Sequence, residues 1–490
     1  MKSMHISRRI AFNSGVLLAV RILTSLLSLL VSVSLARYLD ASGYGKFSLV
    51  FAYLSFFQVL TGLGIDTIVI REVLRDPGRQ PAILGNAILL KIACSILAFA
   101  VSVIVSRFMG YPGDVTVLIL FASFSLLLSF NTIYVAAFQA QLKAVFYSLP
   151  ELLITAFFSA LMLLCISLGS SLPVLVLLQA ATAIPMTIAY VYFAKRNLSI
   201  SPSFRYDARI CRLLLSESWP IFFSSVFVSI NMRIDQIMLF KMVDARALGL
   251  YSSGVRLAES LNIIPVVFMA SVYPLLCDNF TRAREMFLKM YSRSFKYMSL
   301  VILPISFGTT LLAERIILFF YGPSFVEASP SLAVLIWSEV FIFLGVVFSY
   351  VVTAAGLQRY LLSFTITGAA SNVILNLFLI PRYGTLGAAV ASLVSYGGLG
   401  LVLQWIYRDI RPIAVHYCSS LIKPTLCCIP MALLLLKYGK MNLFFLIPAS
   451  AATYFLMVIV TGALNKEDRD YIKGIFFPPT QAVNEAPELP

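Results

Sequence analysis

Apolar residues fill this chain in long runs rather than in the alternation that marks one buried face of a strand or a surface helix. From residue 12 to residue 463 these runs recur with only short polar interruptions. About 20 apolar residues are needed to cross a bilayer core, so the pattern predicts an all-α polytopic membrane protein of about 14 transmembrane helices. The spans fall near 12–36, 47–70, 82–106, 115–138, 145–169, 172–194, 217–240, 249–276, 296–313, 331–354, 362–380, 385–407, 416–436 and 442–463. No polar segment exceeds roughly one membrane-span length, about 25 residues, which leaves no room for a soluble catalytic domain.

Composition agrees: 60% of the 490 residues are hydrophobic and 12% are charged, where an ordinary soluble domain has about 25% charged. Lys2, Arg8 and Arg9 precede the first apolar run as in a signal peptide, but the run is too long for one and is read as a retained first helix. With the N-terminus inside, most of the 37 lysines and arginines fall in inward segments, which predicts cytoplasmic N- and C-termini. The net charge of +15 then needs no nucleic acid, because anionic membrane lipid is the ordinary partner of such loops. The seven cysteines show no metal-ligand spacing, so neither zinc nor a disulfide framework is expected, and no cofactor is implied.

Two segments repeat. Residues 40–48 read DASGYGKFS and residues 244–252 read DARALGLYS, so Asp, Ala, Gly, an aromatic and Ser coincide at an offset of 204. A weaker echo links AFQAQ (137–141) with AAGLQ (354–358). The period is six spans, an even number, so the repeats are parallel and related by an axis along the membrane normal. The expected organisation is a six-helix bundle at 1–195, a basic linker at 196–216, a second six-helix bundle at 217–407, two added helices at 408–465 and a tail at 466–490. Rocking of such repeats gives alternating access, which suits transport rather than catalysis.

Charges inside spans are costly, about 2.5–3.5 kcal/mol for a central Arg or Lys, so each must face protein or water. In span 1, Ser14, Arg21, Ser25, Ser28 and Ser32 fall within about 60° of one another at 100° per residue, and Lys91, Ser95 and Ser102 make a similar stripe in span 3. One reading is a cationic, hydroxyl-lined cavity for an anionic headgroup, since Arg offers paired contacts to phosphate and Lys a point charge. The other is a cation paired with a buried carboxylate. Arg233 and Arg256 are further candidate headgroup ligands, although Arg256 and Glu259 stand three residues apart and could neutralise each other. Glu151, Asp235, Glu259 and Glu339 are membrane carboxylates and hence candidate proton or sodium coupling sites.

Four segments carry a family resemblance: LARYLDASGYGKFSLVF (35–51), GLGIDTIVIREVLR (62–75), RIDQIMLF followed by ALGLYSSGVRLAE (233–259), and NVILNLFLIPRYGTLGAAVASLVSY (372–396). Together they resemble the polysaccharide transporter family, a branch of the multidrug, oligosaccharidyl-lipid and polysaccharide exporter superfamily. The resemblance runs to about residue 410 and implies two six-helix bundles. It also implies transfer of undecaprenyl-pyrophosphate-linked oligosaccharide across a bacterial inner membrane for O-antigen, capsule or exopolysaccharide synthesis, alongside polymerase and chain-length machinery. Cationic interior residues of such flippases receive the pyrophosphate, a role that falls by location on Arg21 and Lys91. Two alternatives stay open: a multidrug or organic-cation exporter of the same superfamily, and a membrane polysaccharide polymerase or ligase. The last would be expected to carry a sizeable outer loop with catalytic residues, whereas His5 and His416 both fall on the inner side.

Overall fold

The computed structural model describes residues 2–198, 200–357, 359–398, 404–408, 411–464 and Asp468. All of its long elements are helices: α1 (Lys2–Gly62), α2 (Ile65–Arg75), α3 (Gln80–Phe108), α4 (Gly113–Ser123), α5 (Thr132–Ala140), α6 (Val145–Ser167), α7 (Leu172–Ala181), α8 (Ala183–Asn197) and α9 (Ala208–Met242). There follow α10 (Ala245–Glu259), α11 (Ile263–Arg282), α12 (Arg284–Tyr321), α13 (Ser329–Ala354), α14 (Arg359–Leu393), α15 (Arg411–Tyr438) and α16 (Leu443–Val460). The 466–490 tail lies outside the described residues apart from Asp468, as do the side chains of Ser14, His5 and His416.

Twelve helical segments among the described residues are long and apolar enough to cross a membrane. Two of them contain two crossings each, which gives the 14 spans of the hydropathy pattern. The first, Gly15–Arg75, turns back at Asp40 (φ 56°, ψ 179°). Ser32 and Tyr44 would stand about 18 Å apart along a straight helix, yet their hydroxyls meet at 2.7 Å. The second, Arg359–Gly397, would run about 58 Å if straight, nearly twice a bilayer core, and it changes direction at Gly384 (φ 54°, ψ −128°). The protein is thus an all-helical multi-pass membrane protein.

The helices form two compact units, residues 1–253 with 373–385, and residues 254–372 with 386–490. In the first, Ile68, Val69, Ile83, Ile133 and Leu214 centre one buried apolar cluster, and Leu49, Tyr53, Val115, Ile119 and Leu248 centre another. The two halves of the sequence repeat meet inside this unit. A Cβ built on Gly45 would stand 1.8 Å from the Ala245 carbonyl oxygen, and one on Gly249 would stand 1.8 Å from that of Ala41. Gly45 and Gly249 are repeat partners, as are Ala41 and Ala245, each 204 apart, so the contact reads the same from either side. That is the isologous geometry of a local two-fold relation.

In the second unit α13 packs against α11 and α12, and α12 carries α15. The Tyr454 hydroxyl of α16 donates to the Leu300 carbonyl at 2.9 Å, and Asp468 is buried on Lys296 (2.6 Å), Tyr297 (2.9 Å) and Arg293 (3.6 Å). Asp468, after the last span, is thereby tied to the N-terminal half of α12.

Candidate functional site

Two local breaks in the spans of the first unit position its polar residues. After α1, Leu63 (φ 44°) and Gly64 (φ 70°) interrupt the second span and start α2 with Ile65 and Asp66. Glycine is required at 64, where the left-handed backbone penalises a side chain and a Cβ would stand 2.8 Å from that of Ile221 and 3.0 Å from the Ser218 carbonyl oxygen. In the fourth span an eight-residue 3-10 stretch, Phe124–Asn131, separates α4 from α5. Such stretches seldom exceed three or four residues, and this one delivers Asn131 to Thr187 (2.8 Å) and Thr132 to the ion pair described next.

Lys91 of α3 closes on Asp66, its Nζ donating to both carboxylate oxygens at 2.7 and 2.9 Å. It also donates to the Thr132 hydroxyl, which contacts the same carboxylate at 3.1 Å. The ammonium group is sealed, with 2% of the Lys91 side chain exposed, while 39% of the Asp66 side chain is open. This arrangement fits the second sequence reading of Lys91, a cation paired with a carboxylate, and what the triad shows to its surroundings is carboxylate. The serines of the same stripe are likewise packed: Ser95 and Ser102 are fully buried, and Ser102 donates to Ser123 at 3.0 Å. That face meets closely packed protein, as intramembrane polar groups require.

Arg21 is different. It lies exposed on α1, within electrostatic reach of Glu151 and Tyr147 of α6. Tyr190 of α8 approaches the same carboxylate. Both tyrosines are buried and Glu151 is half-buried, so the cluster is one open cation over a carboxylate backed by two phenols. Of its span-1 companions, Ser25 and Ser28 are half-buried, and Ser32 bonds Tyr44 instead. Tyr147 and Glu151 are four residues apart and share a helix face, a signal present in the sequence. Tyr190 offered none, being one aromatic in an apolar run.

Asp235 is buried and satisfied: Tyr251 donates to Oδ2, and the Gln236 backbone N–H lies 2.7 Å from Oδ1. Tyr251 is the repeat partner of Phe47, so the second copy of the motif carries a hydroxyl that the first lacks. Arg233 is half-buried two residues away and has its own interactions. In the second unit Arg256 and Glu259 are also half-buried and engaged. α10 ends at Glu259 in the 3-10 turn Ser260–Asn262, which turns this segment toward Glu339 of α13. The four carboxylates therefore divide: Glu151 beside Arg21, Asp235 on Tyr251, and Glu259 facing Glu339.

These helices and their intramembrane polar clusters define an all-helical multi-pass membrane protein whose fold is that of known membrane transporters. Residues 10–280 match the polysaccharide biosynthesis protein family, and the chain belongs to it. It is 21% identical over 414 residues to an uncharacterized membrane protein of Methanocaldococcus jannaschii, covering 77% of this chain and 79% of that one. It is 22% identical over 217 residues to a Shigella flexneri protein named as an O-antigen transporter, covering 44% of this chain and about half (51%) of its relative. Among solved structures, the lipid II flippase MurJ in an inward closed conformation superposes with a TM-score of 0.75 at 17% identity, over 93% of this chain and 99% of MurJ. An inward-facing multidrug transporter of the MATE family superposes at 0.63 and 16% identity, over 81% of this chain and 99% of its own.

Proposed function

We propose that the protein is a flippase that carries undecaprenyl-pyrophosphate-linked oligosaccharide repeat units from the cytoplasmic to the periplasmic leaflet of a bacterial inner membrane. The product would feed O-antigen, capsule or exopolysaccharide assembly. The observation that carries this reading, within the family assignment, is coverage: the lipid II flippase accounts for 93% of the chain, the multidrug transporter for 81%. The chain is thus matched more fully by a protein named a lipid II flippase than by one named a multidrug transporter. Mechanistically, a polar interior is exposed alternately to the two membrane faces as the two repeats, 1–195 and 217–407, rock. Arg21 receives the pyrophosphate, with Arg233 and Arg256 as further cationic contacts, while the prenyl tail stays in lipid. An inside-negative potential favours outward movement of an anionic headgroup, by about 2.3 kcal/mol per charge at 100 mV.

The test uses purified protein in liposomes with a fluorescent undecaprenyl-pyrophosphate oligosaccharide. Wild type is expected to move it between leaflets, and Arg21→Ala to slow that movement by roughly tenfold to a hundredfold, the worth of one charge-assisted hydrogen bond. Folded wild type that leaves the lipid in place would defeat the flippase reading. Unslowed Arg21→Ala would defeat the site.

A second reading, the organic-cation exporter, is favoured by the half-open carboxylate of Asp66. Under it, the same liposomes would accumulate or release an organic cation, with Asp66→Asn abolishing the flux.

A further inference from the structure

Glu339 lies midway along α13, in the span whose apolar window is the most enclosed among the described residues, 61% buried. The residue is 3% exposed. Its Oε2 has no hydrogen-bond partner, and neither has Oδ1 of Asn262. The groups that act on the Glu339 carboxyl are Glu259, by its charge, and Asn262, within hydrogen-bonding reach.

A buried carboxylate without a paired cation costs several kcal/mol, and a second carboxylate facing it adds repulsion. Relief would require a positive charge from a neighbouring element. α10, α11, α12 and the segment Pro323–Ala328 carry charged residues, and among their described side chains the charge that acts on Glu339 is that of Glu259. Arg315 is turned to the Gly439 carbonyl, Arg293 and Lys296 hold Asp468, and Arg256 and Glu259 have interactions of their own. What the two orphaned oxygens lack is a hydrogen. One proton on Glu339 removes the buried charge, ends the repulsion from Glu259 and supplies the missing donor. Divalent metal ions such as calcium take six or more oxygen ligands, more than these three side chains offer.

We propose that Glu339, with Glu259 and Asn262, forms a proton-binding site within the second unit, the proton residing on the Glu339 carboxyl at neutral pH. Exchange of this proton during the transport cycle would couple movement to a proton gradient, and that coupling, unlike the site itself, rests on the flippase reading. The 3-10 turn Ser260–Asn262 is the element that would carry Glu259 and Asn262 toward or away from Glu339.

Infrared difference spectroscopy on the full chain in ester-free detergent at pH 7 tests the site directly. Wild type is expected to show a neutral-carboxyl band that shifts in D2O and is missing from Glu339→Gln. Identical spectra would overturn the proposal, and so would a band abolished by sodium chloride but not by choline chloride, which would make sodium the occupant. If Glu339→Gln does not fold, Glu259→Gln serves: with the repelling charge gone, the wild-type band should be lost at lower pH, and an unmoved titration would overturn the proposal. Flipping is measured on the same preparations. A band without flipping keeps the proton site and rejects the transport reading, and flipping without the band does the reverse.

Discussion

Alanine at Gly45 or at Gly249 is expected to lower the stability of the protein by about 1–3 kcal/mol, the cost of forcing extra atoms into a packed interior. Each new methyl would stand 1.8 Å from a backbone carbonyl oxygen, on Ala245 in one case and Ala41 in the other. Ordinary contact is near 3.5 Å, and a backbone atom in a helix cannot swing aside as a side-chain tip can. The two helices must therefore separate along their whole contact. Because the contact is reciprocal, the separation forced by one methyl makes room for the other. Gly45→Ala with Gly249→Ala should cost clearly less than the sum of the single changes, a departure from additivity that distant sites do not show. Gly308→Ala is the control: no atom lies within 4 Å of its Cβ position, and alanine favours the helix by about 1 kcal/mol. Thermal midpoints in detergent would decide it. Singles that melt like wild type would show that the close approach is not maintained.

Removing Asp66 should be the more damaging way to break the buried ion pair. Asp66→Ala leaves the Lys91 ammonium, 2% exposed, with the Thr132 hydroxyl as its remaining named contact, and an uncompensated buried charge costs about 3–5 kcal/mol. Lys91→Met leaves a carboxylate that is 39% exposed and can be hydrated, so its cost is smaller. The double variant should recover most of what Asp66→Ala loses, since replacing both partners with apolar groups is often close to neutral. The same series separates a structural from a ligand role for Lys91. If Lys91 gripped a headgroup, Lys91→Met would stop transport with stability intact, and the double variant would recover nothing. Expected instead is transport that follows stability in all three variants.

Some of the candidate site was legible before any fold was known. Arg21 stands exposed on a stripe that helical spacing identified, and Glu151 was singled out as a lone membrane carboxylate. Their proximity was not legible, because they are 130 residues apart and nothing local to either points at the other. Lys91 shows the limit most clearly. Its stripe implied a protein-facing side, which holds, but a paired cation and a free one have the same spacing. The difference lies on Asp66, placed by the Leu63-Gly64 break, and on Thr132, placed by a 3-10 stretch. Hydropathy averaged over a whole span passes smoothly over both.

By itself the sequence determined how many times the chain crosses the membrane and that its motif is duplicated six spans apart. Those properties follow from one-dimensional quantities, the length of apolar runs and the recurrence of small and aromatic residues. Tertiary structure alone decided that the duplicated glycines face one another, that Lys91 is sealed against Asp66, that Asp235 is satisfied by Tyr251, and that Glu259 acts on the buried Glu339. In a membrane the apolar face of a helix is equally content against lipid or protein, so hydrophobicity does not choose partners. The choice falls to close backbone approach and to the pairing of buried polar groups, and both are relations between residues far apart along the chain.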